Sequence, residues 1–300
     1  MDEGARAAAG TRGDDRPLAG RGLPSYYVVR RLLRHRSAAA GGAILLVVVA
    51  AAVAAPRLAP FDPVALSGES FAPPGGTYLL GTDRLGRDEL SRLVYGARIS
   101  IRLGLVPVAL ATVAGTAAGL AGGYYGGTVD AVLMRVIDVL LALPGILLAL
   151  SIAAILGPSL ENVIIAVGIS TIPQYARLVR GAVLSVKQTQ YIEAARGIGA
   201  GDVRIMLRHV FPNVVSPILV VATLGTAGAI LTGSTLSFLG LGAQPPTPEW
   251  GAMLSEGRNF MRRAWWLVAA PGAAIMVVTL AINLFGDGLR DALDPRLRVD

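Results

Sequence analysis

The side chains able to do chemistry are few and scattered. Cysteine is absent from the 300 residues, which removes disulfides, zinc-thiolate sites, iron-sulfur clusters and thiol nucleophiles. The two histidines, His35 and His209, have no second ligand at metal spacing and no carboxylate-plus-serine arrangement around them, and His209 reads as a polar residue beside a helix end. Nucleotide hydrolysis needs a glycine-rich phosphate loop ending in Lys and Ser or Thr. The one lysine, Lys187, lies in Ser185-Val186-Lys187-Gln188 with no such loop before it. No catalytic residue, metal ligand or resident cofactor is expected in this chain.

The elements that carry these residues belong in lipid. Hydrophobic residues make up 53% of the chain and charged residues 16%, against about 25% charged in ordinary globular domains, and the mean hydropathy is +0.59. The apolar residues gather in runs of about twenty, which at 1.5 Å per residue match a bilayer core of about 30 Å. Six membrane-spanning helices are predicted at 38–57, 97–121, 132–156, 160–180, 214–238 and 266–286. Residues 1–37 form an N-terminal tail with eight arginines, partly disordered, 58–96 an extracytoplasmic loop, 181–213 a cytoplasmic loop, and 287–300 a C-terminal tail. The first apolar run starts late and reads as a retained helix rather than a cleaved leader.

Net charge is +7 and the isoelectric point 10.2, but the basic residues flank the apolar runs, a pattern of membrane orientation and not of nucleic-acid binding. Eighteen of the 27 Lys and Arg fall on the side of the two termini, so both termini are expected in the cytoplasm. Gly104, Gly115, Gly119, Gly168, Gly225 and Gly228 lie inside the spans and predict close helix packing. Asp138, near the cytoplasmic end of its span, has Arg135 three residues back on the same face, which predicts a structural ion pair rather than a proton site. With no obvious ion relay, the driving energy has to come from elsewhere. Trp265-Trp266 at the head of the sixth span reads as an interfacial anchor.

Between the fourth and fifth spans, Gln190 to Asn213 reads as a short helix, a glycine-rich break at 197–201, an Asp202 cap and a second helix halted by Pro212. Glu193-Ala194-Ala195 keeps one helix surface shallow, so that another protein can seat it in a groove. A helix-glycine-helix elbow of this kind can transmit a rigid-body push.

At these residues the chain resembles the EAA loop of ABC importer permeases: Glu193-Ala194-Ala195, three residues, Gly199, nine residues, then His209-Val210-Phe211-Pro212, where many families carry Ile-x-Leu-Pro. Further stretches resemble the C-type permease subunits of dipeptide and oligopeptide importers, the DppC/OppC group. They are Leu80 to Asp88, Gly122-Gly123-Tyr124-Tyr125-Gly126-Gly127, Ala176-Arg177-Leu178-Val179-Arg180-Gly181, Leu236 to Gly242, Pro245 to Gly251 and Gly286 to Pro295. The resemblance implies an all-α membrane protein with the type I ABC importer permease fold. It also implies a related B-type permease as partner, two ATPase subunits that bind ATP and magnesium, and an extracytoplasmic substrate-binding protein. By the same resemblance Glu193, Ala194, Ala195, Arg196 and Gly199 belong to a coupling helix in a cleft of the ATPase, Glu193 pairing either with basic residues there or with Arg196. Leu66-Ser67-Gly68-Glu69-Ser70 has the letters of an ABC ATPase signature loop, but without a phosphate loop it reads as coincidence. A self-sufficient secondary transporter or channel explains six spans equally well, but not the missing central charges or the EAA loop.

Overall fold

The computed structural model describes residues 25–66 and 69–293. The expected disorder of the first twenty residues, Ser67-Gly68 of the signature-like stretch and the tail beyond 293 lie outside the described residues. Twelve α-helices occur among them: α1 (Ser25–Arg34), α2 (Arg36–Val53), α3 (Ala55–Leu58), α4 (Glu89–Tyr125), α5 (Gly127–Leu141), α6 (Gly145–Leu156), α7 (Leu160–Lys187), α8 (Gln190–Gly197), α9 (Asp202–Ile205), α10 (Phe211–Phe238), α11 (Trp250–Gly257) and α12 (Trp266–Leu293). Five stretches are long and apolar enough to cross a membrane, and α5 with α6 makes a sixth if the bent pair is counted as one broken span.

That pair corrects the straight third span predicted at 132–156. The two helices meet at 87°. Pro144 lacks an N–H and disfavours helical geometry at the residue before it, so the chain leaves the helix after Leu141 and restarts at Gly145. The limits of the other spans shift as well. The first helix ends at Val53 and α3 follows as a separate turn, while α4 starts within the expected 58–96 loop. Likewise α7 continues to Lys187, and α12 carries the first seven residues of the expected C-terminal tail.

The central contact is α4 against α7. A Cβ at Gly115 would lie 2.5 Å from the Tyr175 Cβ, and one at Gly119 would lie 2.6 Å from the Ala176 carbonyl oxygen. Glycine spaced by four presents one flat face, and the backbones close onto it. Gly104, Gly168 and Gly225 are also filled against Ile230, Leu110 and Tyr175, whereas Gly228 faces open space, contrary to expectation.

The segment before α4 is folded onto the bundle. The Thr82 hydroxyl donates to the Glu69 carbonyl and accepts from the Ala72 N–H, and the Asp88 carboxylate caps α4 by accepting from Ser91 N–H at 2.7 Å. Asp83 accepts from Arg87 Nε at 2.5 Å, and both Arg87 and Arg92 donate to Glu256 on α11, at 2.8 and 3.0 Å. Gly81, Thr82, Asp83, Arg87 and Asp88 thus make turns, a cap and a buried ion network that seat the segment. Trp266 joins them, its indole N–H donating to the Thr82 carbonyl at 3.2 Å while it is only 6% exposed. Of the expected interfacial pair, Trp265 alone is exposed.

Candidate functional site

The elbow predicted between the fourth and fifth spans is present. Helix α8 ends at Gly197, and Gly199 takes φ of +80°, a left-handed conformation that glycine adopts without strain. The Gly199 N–H donates to the Arg196 carbonyl and the Ala200 N–H to the Ala195 carbonyl, closing the helix end. Two parts of the elbow differ from expectation. Gly201, not Asp202, stands at the cap position of α9, and Asp202 is the first residue of that helix. Pro212 does not stop the chain's helical course. A π-helical turn over Met206–Val210 precedes it, and Pro212 occupies the first turn of α10, where its missing N–H costs no bond.

Helix α8 has two unlike faces. Ile192 and Ala195 are buried in a cluster with Tyr124 of α4, Val179 and Val183 of α7, Ile205 of α9 and Val214 of α10. Glu193, Ala194, Arg196 and Gly199 are exposed, and Ile198 beside them is 87% exposed. Ala195 therefore packs inward, while Glu193 and Ala194 point away from the bundle. Glu193 forms no ion pair with Arg196 among the described residues. The Arg196 guanidinium instead lies over the Tyr124 ring, 5.6 Å from its centre.

Tyr124 is the residue that sequence reasoning left without a role. Its hydroxyl donates to Asp202 at 2.7 Å, its carbonyl accepts from the Lys187 ammonium, and its side chain is buried. It joins the end of α4 to the end of α7 and to both halves of the elbow. The signal lay in the glycine-flanked Tyr124-Tyr125 at the end of the second span, where an amphipathic ring meets polar loops.

A second set of charges ties α5 to α7. Asp138 accepts from Arg177 at 2.6 Å, so its partner is on the facing helix and not Arg135 on its own. Asp130 takes Arg180 in a two-pronged contact, both bonds 2.5 Å. The 87° bend lets α5 run beside α7, and a facing guanidinium reaches the carboxylate more directly than a neighbour along the same helix. Among the described residues no group of His, Cys, Asp and Glu is arranged to hold a metal.

Residues 111–299 match the family model described as the inner membrane component of binding-protein-dependent transport systems, and residues 24–74 match the N-terminal transmembrane domain of oligopeptide transport permease C. The chain belongs to the binding-protein-dependent transport permeases. The permease is 47% identical over 251 residues to the di/tripeptide transport system permease protein DppC of Pseudomonas aeruginosa, covering 81% of this chain and 83% of the relative. It is 50% identical over 248 residues to the dipeptide transport system permease protein DppC of Escherichia coli K12, covering 80% and 83%. Among solved structures, an inward-facing MetNI methionine ABC transporter shares its fold with a TM-score of 0.55 and 18% identity, over 68% of this chain and 96% of that one. The permease is a multi-pass inner-membrane subunit of an ABC importer, a transport component rather than an enzyme, and it acts within a multi-subunit system.

Proposed function

We propose that this permease forms, with a related B-type permease, the path by which short peptides or similar small solutes cross the bacterial plasma membrane. Two ATPase subunits bind ATP and magnesium, one docking on α8 and the other on the corresponding loop of the partner permease, and an extracytoplasmic binding protein delivers the solute. Both termini and the elbow face the cytoplasm, in keeping with the excess of arginine on that side. The peptide class is supported by the di/tripeptide and dipeptide roles of the DppC relatives.

The observation that carries the coupling role is the division of α8 into an exposed face of Glu193, Ala194, Arg196 and Ile198 and a buried face keyed to α4, α7 and α10. A protein seated on the outer face moves the ends of three helices at once. Closure of the ATPases then swings the packed spans as rigid bodies and alternates access to the path.

Two substitutions test this in the reconstituted complex. Glu193→Lys reverses the charge offered to the ATPase. A Cβ at Gly199 meets nothing within 4 Å, but Gly199→Val places a β-branched residue at φ of +80°, which costs about 1–3 kcal/mol and deforms the elbow. Both variants are expected to insert and to leave ATP hydrolysis running while uptake per ATP falls. Unchanged uptake per ATP in both would remove the coupling role from α8.

A further inference from the structure

Helix α7 carries an exposed, mostly polar stripe in its C-terminal half. Gln174, Arg177, Gly181 and Ser185 recur at helical spacing and are exposed, whereas Pro173, Tyr175, Ala176, Val179 and Val183 around them are buried. At 1.5 Å per residue the stripe runs about 17 Å along the half of α7 nearer α8. Asp138 of α5 meets Arg177 on this face, the two side chains 52% and 56% exposed. Elsewhere in the spans the exposed positions include apolar ones suited to lipid, such as Val113 at 72% and Ile155 at 85%, alongside polar ones such as Arg102, Ser151, Thr235 and Asn283. A charge in lipid costs about 2.5–3.5 kcal/mol even on lenient scales. An amide and an ion pair on one exposed stripe therefore border water, and Gly181 and Ser185 continue the stripe into the cytoplasmic loop expected at 181–213.

Resting on the permease reading above, we infer that Gln174, Arg177, Gly181 and Ser185, with Asp138, line the translocation path and hold a short peptide by its two charged ends. Arg177 takes the terminal carboxylate, Asp138 takes the terminal ammonium, and the Gln174 amide meets the peptide group. In the empty path Asp138 and Arg177 neutralise each other at 2.6 Å. A zwitterion exchanges that one ion pair for two, so the loaded path keeps zero net charge and no charge is left bare. Gly181 leaves clearance, since a Cβ there meets nothing within 4 Å.

The chain contains no cysteine, so single thiols can be introduced and read without background from this subunit. Gln174→Cys, Gly181→Cys and the controls Val113→Cys and Ile155→Cys are placed in the full complex in proteoliposomes and treated with a charged, membrane-impermeant methanethiosulfonate. The stripe positions are expected to react at least about tenfold faster than the controls, because lipid suppresses the thiolate. Excess dipeptide slows the reaction, whereas an N-acetylated, C-amidated dipeptide does not, and adding Arg177→Gln abolishes the protection while leaving reactivity. Reactivity no greater than the controls in every nucleotide state overturns the inference, as does equal protection by the blocked peptide. Cross-linking of both stripe positions to the partner permease in every state also overturns it, by showing a subunit contact. Uptake by the unaltered complex in the same vesicles separates the two readings. If it proceeds without the ATPase subunits, the permease reading fails whatever the labelling shows.

Discussion

The network that seats the segment before α4 allows a quantitative test. Glu256 is the shared acceptor for Arg87 and Arg92, whose side chains are 3% and 1% exposed. Glu256→Ala strands two guanidinium groups in a place water scarcely reaches. Breaking a buried ion pair costs about 3–5 kcal/mol. Arg87 keeps its bond to Asp83 at 2.5 Å, and Arg92 keeps a weaker contact with Asp83 at 3.8 Å, so the lower end applies. A loss of about 3 kcal/mol raises the lifted population of the segment about a hundredfold. Trypsin reads that population, because the Arg87 site is buried until the segment lifts, and cleavage follows the open fraction when opening is fast. In detergent the variant should be cut after Arg87 about a hundredfold faster than the unaltered protein. Glu256→Gln, which keeps an acceptor oxygen but not the charge, should fall between them. Cleavage of the alanine variant within about threefold of the unaltered protein would refute the reasoning.

Glu249 offers a pH dependence. It lies outside the spans, and burial pushes its carboxyl above the ordinary 4.5 despite the Gly251 and Ala252 N–H groups that favour the carboxylate. Between 4.5 and the raised folded value the unfolded chain ionises this group more readily than the folded one, so its contribution to stability declines as pH rises through that window. Thermal unfolding of the unaltered protein minus Glu249→Gln should show this downward slope, and an upward slope would contradict it. Orientation is open to reporter fusion: a reporter ahead of Ala38 should be active only in its cytoplasmic form, and activity outside would reverse the topology.

Much of this architecture was legible because lipid allows few solutions. Runs of about twenty apolar residues had to be helices, and Gly115 and Gly119 announced the face on which α4 meets α7. The elbow was readable from Gly197, Gly199 and Gly201, since a left-handed residue after a helix favours glycine. What stayed hidden depended on partners distant in sequence. Asp138 had a visible neighbour in Arg135, yet the 87° bend delivered it to Arg177. Asp202 has the residue type of a helix cap, but Tyr124, 78 positions earlier, binds its carboxylate. Pro212 reads as a stop for the helix before it, but the π-helical turn at Met206–Val210 brings it to the first turn of α10, where its missing N–H costs no bond. The seating of Arg87 against Glu256 of α11 and of Trp266 against the Thr82 carbonyl came from contacts across more than a hundred residues, which no local pattern announces.

The most direct test is uptake of a radiolabelled dipeptide into proteoliposomes holding this permease, its B-type partner and the binding protein, with and without the two ATPase subunits. Uptake is predicted only when the ATPases and hydrolysable ATP are both present. Accumulation at an equal rate without the ATPases would show that this chain moves solute on its own and would contradict the account.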